Sequence, residues 1–224
     1  MTGLVVVFGT VLLYLGMTYV YRRFTYPLLL PILTTTTITV IVLSFLDISY
    51  ETYMSGASWI DGMLGPAVVS MAYPLYVHRE KIRQHMVLIF LGGIVALLSG
   101  MISITIFSKL FRFDQEVLMS FLPKSITSPV AMPISESIGG IPTLTAVLVI
   151  LAGLIGALAG PILFRYGGIE NAVSRGLSMG SASHGIGVAK LTEYGEETLT
   201  MGTVGMTLSA ILGAFICPLF ALLL

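Results

Sequence analysis

Residues 178–190 read Ser178-Met-Gly-Ser-Ala-Ser-His-Gly-Ile-Gly-Val-Ala-Lys190, placing three serines, three glycines and one histidine together in an otherwise hydrocarbon-like chain. A lipid-facing helix has no use for that mixture. Within a bilayer, polar backbone broken by glycine is tolerated only where protein buries it or a watery cavity receives it. The stretch therefore reads as a site on a discontinuous membrane helix.

Composition sets the surroundings of that stretch. Of the 224 residues, 56% are hydrophobic and 10% charged, with a mean hydropathy of +0.97. A soluble domain carries about 25% charged residues, so this chain lacks the polar surface to cover a globule in water. The expected fold class is an all-α polytopic membrane protein. Its length accommodates about seven crossing segments of roughly 20 residues, plus a re-entrant element. Eleven Lys and Arg balance eleven Asp and Glu, which leaves no basic surface for nucleic acid. Cys217 is the only cysteine, so an intrachain disulfide and a CxxC site are excluded. No HExxH, P-loop or Cys/His cluster is present, so no enzymatic activity, metal or cofactor is expected.

Apolar runs mark spans at Leu4–Tyr21, Pro27–Leu46, Gln84–Ser108, Pro142–Arg165 and Thr198–Leu224. The first is followed, not preceded, by Arg22 and Arg23, so it reads as a span and not as a cleaved signal peptide. Nothing marks an organelle transit peptide. Three further segments, Asp61–Val77, Glu116–Gly140 and Ala172–Lys190, are apolar yet interrupted by Pro and Gly. The acidic stretch Asp47–Ser58 reads as an outside loop. Counting Lys and Arg places Arg22/Arg23, His78–Arg83 and Arg165–Arg175 in the cytoplasm. The acidic run Glu193–Glu197 then lies outside. This requires Glu116–Gly140 to enter and leave on one side, which leaves Lys109 and Arg112 outside against the rule. The expected location is the cell membrane, with the N-terminus outside and the C-terminus cytoplasmic.

The order span, broken segment, span occurs at 27–46, 61–77 and 84–108, and recurs at 142–165, 172–190 and 198–224. Opposite entry sides would make the halves inverted, a plan shared by many secondary transporters. A single domain over 1–224 would then divide into halves of about 1–112 and 113–224. Chance alternation of apolar and broken segments is the alternative.

In Ala172–Lys190, Ser181, Ser183 and His184 offer donors, while Gly180, Gly185 and Gly187 allow close approach. Freed backbone N–H groups and a helix N-terminus suit a carboxylate, and His184 can shuttle a proton. Plain close helix packing is the alternative. In Glu116–Gly140, Lys124 is a lone cation beside Ser125, Thr127 and Ser128. With those hydroxyls it suits a carboxylate, and Glu136 is a candidate partner or proton carrier; alternatively Lys124 snorkels to the interface and Glu136 caps a helix. Pro129, Pro133, Gly139 and Gly140 break this segment. In Asp61–Val77, Gly65-Pro66 breaks or starts a helix and Pro74 kinks it, with Ser70 and Tyr73 either lining a pathway or filling helix contacts. The repeated threonines Thr34–Thr37 can bond back to helical carbonyls. Ser183 and His184 are sequence neighbours, so on a helix they diverge and do not form a nucleophile–base pair.

The runs Leu64-Gly-Pro-Ala-Val-Val-Ser-Met-Ala-Tyr-Pro-Leu-Tyr76, Leu122-Pro-Lys-Ser-Ile-Thr-Ser-Pro-Val-Ala-Met132 with Ser135-Glu-Ser-Ile-Gly-Gly-Ile-Pro142, and Gly180-Ser-Ala-Ser-His-Gly-Ile-Gly187 together resemble the signature blocks of the LrgB/CidB family. The resemblance covers essentially the whole chain. Ser181 stands where the family usually has threonine, and Tyr73 where small residues are common. The resemblance implies one of two roles. Bacterial members are described as antiholin-like proteins that influence murein hydrolase activity and lysis, paired with a small LrgA/CidA-like membrane protein. Plastid relatives resemble glycolate/glycerate translocators, and some bacterial pairs resemble pyruvate carriers. The buried donors favour a carrier for small monocarboxylates, with Lys124, Ser125, Thr127, Ser181, Ser183 and His184 as substrate contacts and His184 or Glu136 coupling a proton. The helix breaks at Gly65, Pro66, Pro74, Pro129, Pro133, Gly139, Gly140, Gly185 and Gly187 would permit gating. A lipid bilayer, a small carboxylate, a homo-oligomer and a LrgA/CidA-like protein are the expected partners.

Overall fold

The computed structural model describes residues 2–24, 26, 29, 31–70 and 72–224, and every regular element among them is helical. Two compact units are present, Met1–Ala67 and Val68–Leu224.

In the first unit, α1 (Thr2–Phe24) is an unbroken apolar run ending on Arg22 and Arg23, cations that suit the negative end of the helix dipole. It packs against α2 (Pro31–Phe45) and α3 (Tyr50–Gly62). The Thr10 and Tyr53 hydroxyls, 3.0 Å apart, link α1 to α3. Helix α3 occupies most of the stretch expected to be an acidic loop. The reason is local: Ser49 Oγ accepts the Thr52 N–H at 3.2 Å, and Glu51 lies in the first turn, where both capping and a negative charge favour helix. Pro27, Leu28 and Leu30, at the start of the expected second span, lie outside the described residues. The helix that follows has 15 residues, about 22 Å at 1.5 Å per residue. Along it, Thr37 donates to the Leu33 carbonyl at 2.9 Å, whereas the buried Thr35 hydroxyl has no hydrogen-bond partner among the described residues.

Two short helices follow, α4 (Leu64–Ser70) and α5 (Ala72–Val77); Met71, in the first signature block, lies outside the described residues. Pro66 and Pro74 are each the third residue of their helix. A first turn tolerates proline because its N–H has no intrahelical partner there. Pro74 therefore falls in a helix start, where the sequence suggests a kink. The basic run expected as a loop contains α6 (Arg79–Gln84).

The rest of the second unit is built on α7 (Met86–Phe111), α10 (Pro142–Tyr166), α11 (Ala172–Lys190) and α12 (Glu196–Ala221), with α8 (Gln115–Phe121) and α9 (Ser128–Ser137) between α7 and α10. Helix α11 packs against α7, α10 and α12, and α9 against α10 and α12. A cluster including Met101, Ile126, Ala131, Val149 and Cys217 forms the largest buried core. Arg112, in left-handed conformation, ends α7, and Gly139 at φ 84° turns the chain from α9 toward α10.

Among the described residues, four helices are long and apolar enough to cross a membrane: Leu4–Phe24, Met86–Phe111, Pro142–Tyr166 and Glu196–Ala221. The chain is thus an all-helical, multi-pass membrane protein. The other expected crossings fall on α2 with 15 residues, on α4 and α5 with 7 and 6, and on α11 with 19. The segment expected to be re-entrant carries α8 with 7 residues and α9 with 10, about 10 and 15 Å, each too short for a hydrocarbon core of about 30 Å.

Candidate functional site

Helix α11 is two helical segments joined across a kink. His184 sits at φ 41° and ψ −143°, the only non-helical residue inside it. Sequence reading assigns the break to glycine; the structure puts it on the histidine. A side chain in this region costs on the order of 1–3 kcal/mol and persists only where its surroundings hold it. Here they do: His184 Nε2 lies 2.7 Å from the Val149 carbonyl of α10. Its ring packs against Gly153, where an added Cβ would meet Cε1 at 2.7 Å.

The flanking glycines serve packing. Gly156 faces Ser183, and Gly160 faces Met179, so α10 and α11 run antiparallel with small residues lining the seam. On the other side, a Cβ on Gly176 would lie 2.6 Å from the Thr198 carbonyl, and one on Gly205 3.2 Å from Leu177 Cα. Gly180 lies as tightly against the backbone of α12 at Gly202. Close backbone approach of this kind is how membrane helices gain van der Waals contact. Gly187 accommodates Ser183 and Met179, whereas Gly185 is open, with Met206 Sδ 3.8 Å from an added Cβ.

Between α7, α10, α11 and the α8–α9 connection lies a groove of about 760 Å³, open on the side where Ile155 and Leu163 of α10 are each 63% exposed. Its polar lining comes from Ser99 and Ser103 of α7, Lys124 and Ser125 of the connection, and Ser178 and Ser183 of α11. The remaining lining is largely apolar, including Leu151, Ile155 and Leu163 of α10. Ser99, Ser103 and Ser178 donate to their own helices, at the carbonyls of Ala96, Gly100 and Arg175. Lys124 Nζ, Ser125 Oγ and Ser183 Oγ have no hydrogen-bond or ion-pair partner among the described residues. Lys124 Nζ and Ser125 Oγ converge on Gly100, at 3.8 and 3.9 Å from where its Cβ would stand. An ammonium without a counterion in a mainly apolar wall can attract an anion, because charges there are screened less than in water.

The turn that carries Lys124 is held from beneath by a buried hydroxyl network. Thr145 Oγ1 lies 2.7 Å from Ser135 Oγ and 3.0 Å from the Ser120 carbonyl. Ser120 Oγ accepts the Ile141 N–H at 2.7 Å and donates to the Glu116 carbonyl at 2.7 Å. The side of Gly140 where a Cβ would stand is filled by Ser135 and by the Ser120 N–H, 2.8 Å away. A turn closed by Lys124 N–H to the Phe121 carbonyl then delivers the ammonium.

The structure thus brings together Lys124, Ser125 and Ser183 of the expected contacts. Thr127, Ser181, His184 and Glu136 lie outside the cavity lining. Thr127 Oγ1 is buried beside α9 with no hydrogen-bond partner among the described residues, Ser181 is buried, His184 is bound to α10, and Glu136 is exposed. Pro129 is in the first turn of α9, and Pro133 lies inside that helix on its exposed side. Neither Ser70 nor Tyr73 lines the cavity, and Tyr73 is exposed. Ser183 and His184 point to different residues of α10, so they do not act as a hydroxyl–imidazole pair. Among the described residues no group of three or more His, Cys, Asp or Glu is placed to hold a metal. Sequence reading missed Ser99, Ser103 and Gly100 of α7, and the Ser120–Ser135–Thr145 network. Serines three or four residues apart in an apolar span bond back to their own helix, which hides their use as a cavity wall.

Comparison with known proteins agrees on one family. The model of the LrgB-like family matches residues 10–223. The chain is 45% identical over 217 residues to the uncharacterized protein YxaC of Bacillus subtilis, covering 97% of this chain and 94% of that one. It is 34% identical over 221 residues to the holin-like protein CidB of Staphylococcus aureus, covering 99% of this chain and 96% of that one. The corresponding CidB of Staphylococcus epidermidis is 34% identical over 214 residues, with 96% and 93% covered. No solved structure matches.

Proposed function

The chain belongs to the LrgB-like family, and from that premise we propose that it is a membrane carrier or facilitator for small monocarboxylates of the pyruvate, glycolate or glycerate type. The observation that carries this reading is the unpaired ammonium of Lys124, which shares a cavity with the unpaired hydroxyls of Ser125 and Ser183. Lys124 binds the carboxylate, and the hydroxyls bind its remaining oxygens or those of the substrate's hydroxy or oxo group. His184 holds the break in α11 that sets Ser183; Ser181, Thr127 and Glu136 come into play only if the helices move during the cycle. The breaks at Gly139–Gly140 and His184–Gly185 are the hinges for such movement, with His184 and Glu136 as proton-coupling groups.

In this proposal residues 1–224 act as one domain with seven crossing segments and a re-entrant α8–α9 element. Inverted halves of about 1–112 and 113–224 meet at the site, with the N-terminus outside and the C-terminus in the cytoplasm. Homo-oligomers, and pairing with a small LrgA/CidA-like protein, belong to the same proposal. The chemistry is translocation without covalent change.

A second reading rests on the printed name of the Staphylococcus relatives, holin-like protein CidB: an antiholin-like regulator of murein hydrolase activity and lysis, acting by assembly in the membrane. Proteoliposomes holding the purified full chain separate the two. Saturable carboxylate flux, competed by unlabelled substrate, supports the carrier. Flux that neither saturates nor discriminates between carboxylates and neutral solutes of equal size supports the assembly.

A further inference from the structure

The cavity is much larger than a three-carbon acid needs. Six heavy atoms, at roughly the 30 Å³ share of one liquid water each, fill roughly 180 Å³. The groove measures about 760 Å³ and is open along α10 at Ile155 and Leu163, so it can take a ligand longer than pyruvate with part of its body uncovered by protein. It also has a direction. Its lining along α10 runs from Leu148 to Phe164, about 24 Å at 1.5 Å per residue. Thr145 touches the Ser120 carbonyl, and the closed turn from Phe121 to Lys124 keeps the ammonium at the N-terminal end of α10. Ser125 joins Lys124 beside Gly100 of α7, whose neighbours Ser99 and Ser103 line the same groove, and Ser183 sits midway along α10, against Gly156. The opposite end is formed by Gly160, Leu163, Phe164, Ile169 and Met179. Its one hydroxyl, Ser178, is committed to the Arg175 carbonyl at 3.2 Å.

We propose that the site takes carboxylates with an extended apolar body, the head on Lys124 and the tail along α10 toward Phe164. This rests on the carrier reading above and extends its substrate class to longer acids. Ala159 stands on the tail path, between Ile155 and Leu163. A larger side chain there shortens the path without touching the charged end.

The test uses the full chain in proteoliposomes, with labelled pyruvate as the transported probe. Unlabelled pyruvate, α-ketobutyrate, α-ketovalerate, α-ketocaproate and α-ketocaprylate serve as competitors. Each added methylene should lower the inhibition constant by roughly threefold to fourfold until the path is full. In Ala159→Phe the same series, scaled to that variant's own pyruvate constant, should flatten beyond the shorter acids. Ala159→Leu gives the same comparison with a smaller intrusion if the phenylalanine variant does not accumulate. Constants that stay level or rise with chain length in wild type overturn the inference while saturable pyruvate uptake leaves the carrier reading standing. An identical slope in both Ala159 variants overturns the tail path. Uptake that no acid competes removes the carrier reading, and this inference falls with it.

Discussion

His184 Nε2 and the Val149 carbonyl, 2.7 Å apart, join α11 to α10 at the one residue where α11 leaves helical geometry. The bond and the strained backbone are parts of one arrangement. The break turns the imidazole toward α10, and the bond holds the break. Ser183, one residue earlier, is thereby fixed in the cavity wall.

Removing the imidazole should loosen this joint. His184→Ala keeps a non-glycine residue at positive φ and loses the bond, and should lower stability by about 1–2 kcal/mol. His184→Asn should lose less, because asparagine tolerates left-handed backbone and carries an amide donor. Thermal unfolding in detergent ranks the two. Equal stability of His184→Ala and wild type would mean the bond holds nothing.

Gly156 and Ser183 should behave as a coupled pair. A Cβ on Gly156 falls on the Ser183 side chain, so Gly156→Ala should cost about 1–3 kcal/mol through overpacking. Adding Ser183→Gly should recover more than half of that cost, a coupling that a double-mutant cycle measures. Additive losses would show that the two positions do not meet.

The hydroxyl network beneath Lys124 should respond to chemistry more than to volume. Thr145→Val keeps the shape but removes the hydroxyl that bridges the Ser120 carbonyl and the Ser135 hydroxyl, at a cost of about 1–3 kcal/mol. Thr145→Ser should retain most of the stability. Unfolding midpoints of the two variants check this, and equal midpoints would remove the network's role.

Gly100→Ala offers a probe of the anion position that leaves the fold intact. The added methyl meets nothing closer than Lys124 Nζ at 3.8 Å and Ser125 Oγ at 3.9 Å, ordinary contact distances. It occupies the space where a bound carboxylate would reach both groups. Its unfolding midpoint should match wild type, while the KM for carboxylate uptake rises at least about tenfold, the loss of about 1.4 kcal/mol of binding. An unchanged KM would place the anion elsewhere.

How much of this was legible in the sequence differs by residue. The membrane class follows from composition, and four long apolar helices carry it. Lys124, Ser125 and Ser183 stand out because a cation and hydroxyls are costly in hydrocarbon and need a reason to be there. The exact break does not stand out, because φ preference points to Gly185 or Gly187, whereas packing against Gly153 and the Val149 carbonyl selects His184. Helix α3 was hidden by its acidic residues, since charge counting overlooks the cap that Ser49 supplies. Thr145 was hidden because a threonine in an apolar helix ordinarily bonds to its own backbone, and only the fold brings Ser120 and Ser135 beside it.

The most direct measurement is uptake of radiolabelled pyruvate into proteoliposomes by wild type and by Lys124→Ala, run with and without a pH gradient, both proteins first shown folded by their unfolding transitions. Saturable uptake by wild type and loss of at least about tenfold in Lys124→Ala is the expected result, since the variant removes a charge that lines the groove and has no ion-pair partner among the described residues. Uptake by Lys124→Ala at the wild-type rate would contradict the assignment of this cavity as the carboxylate site.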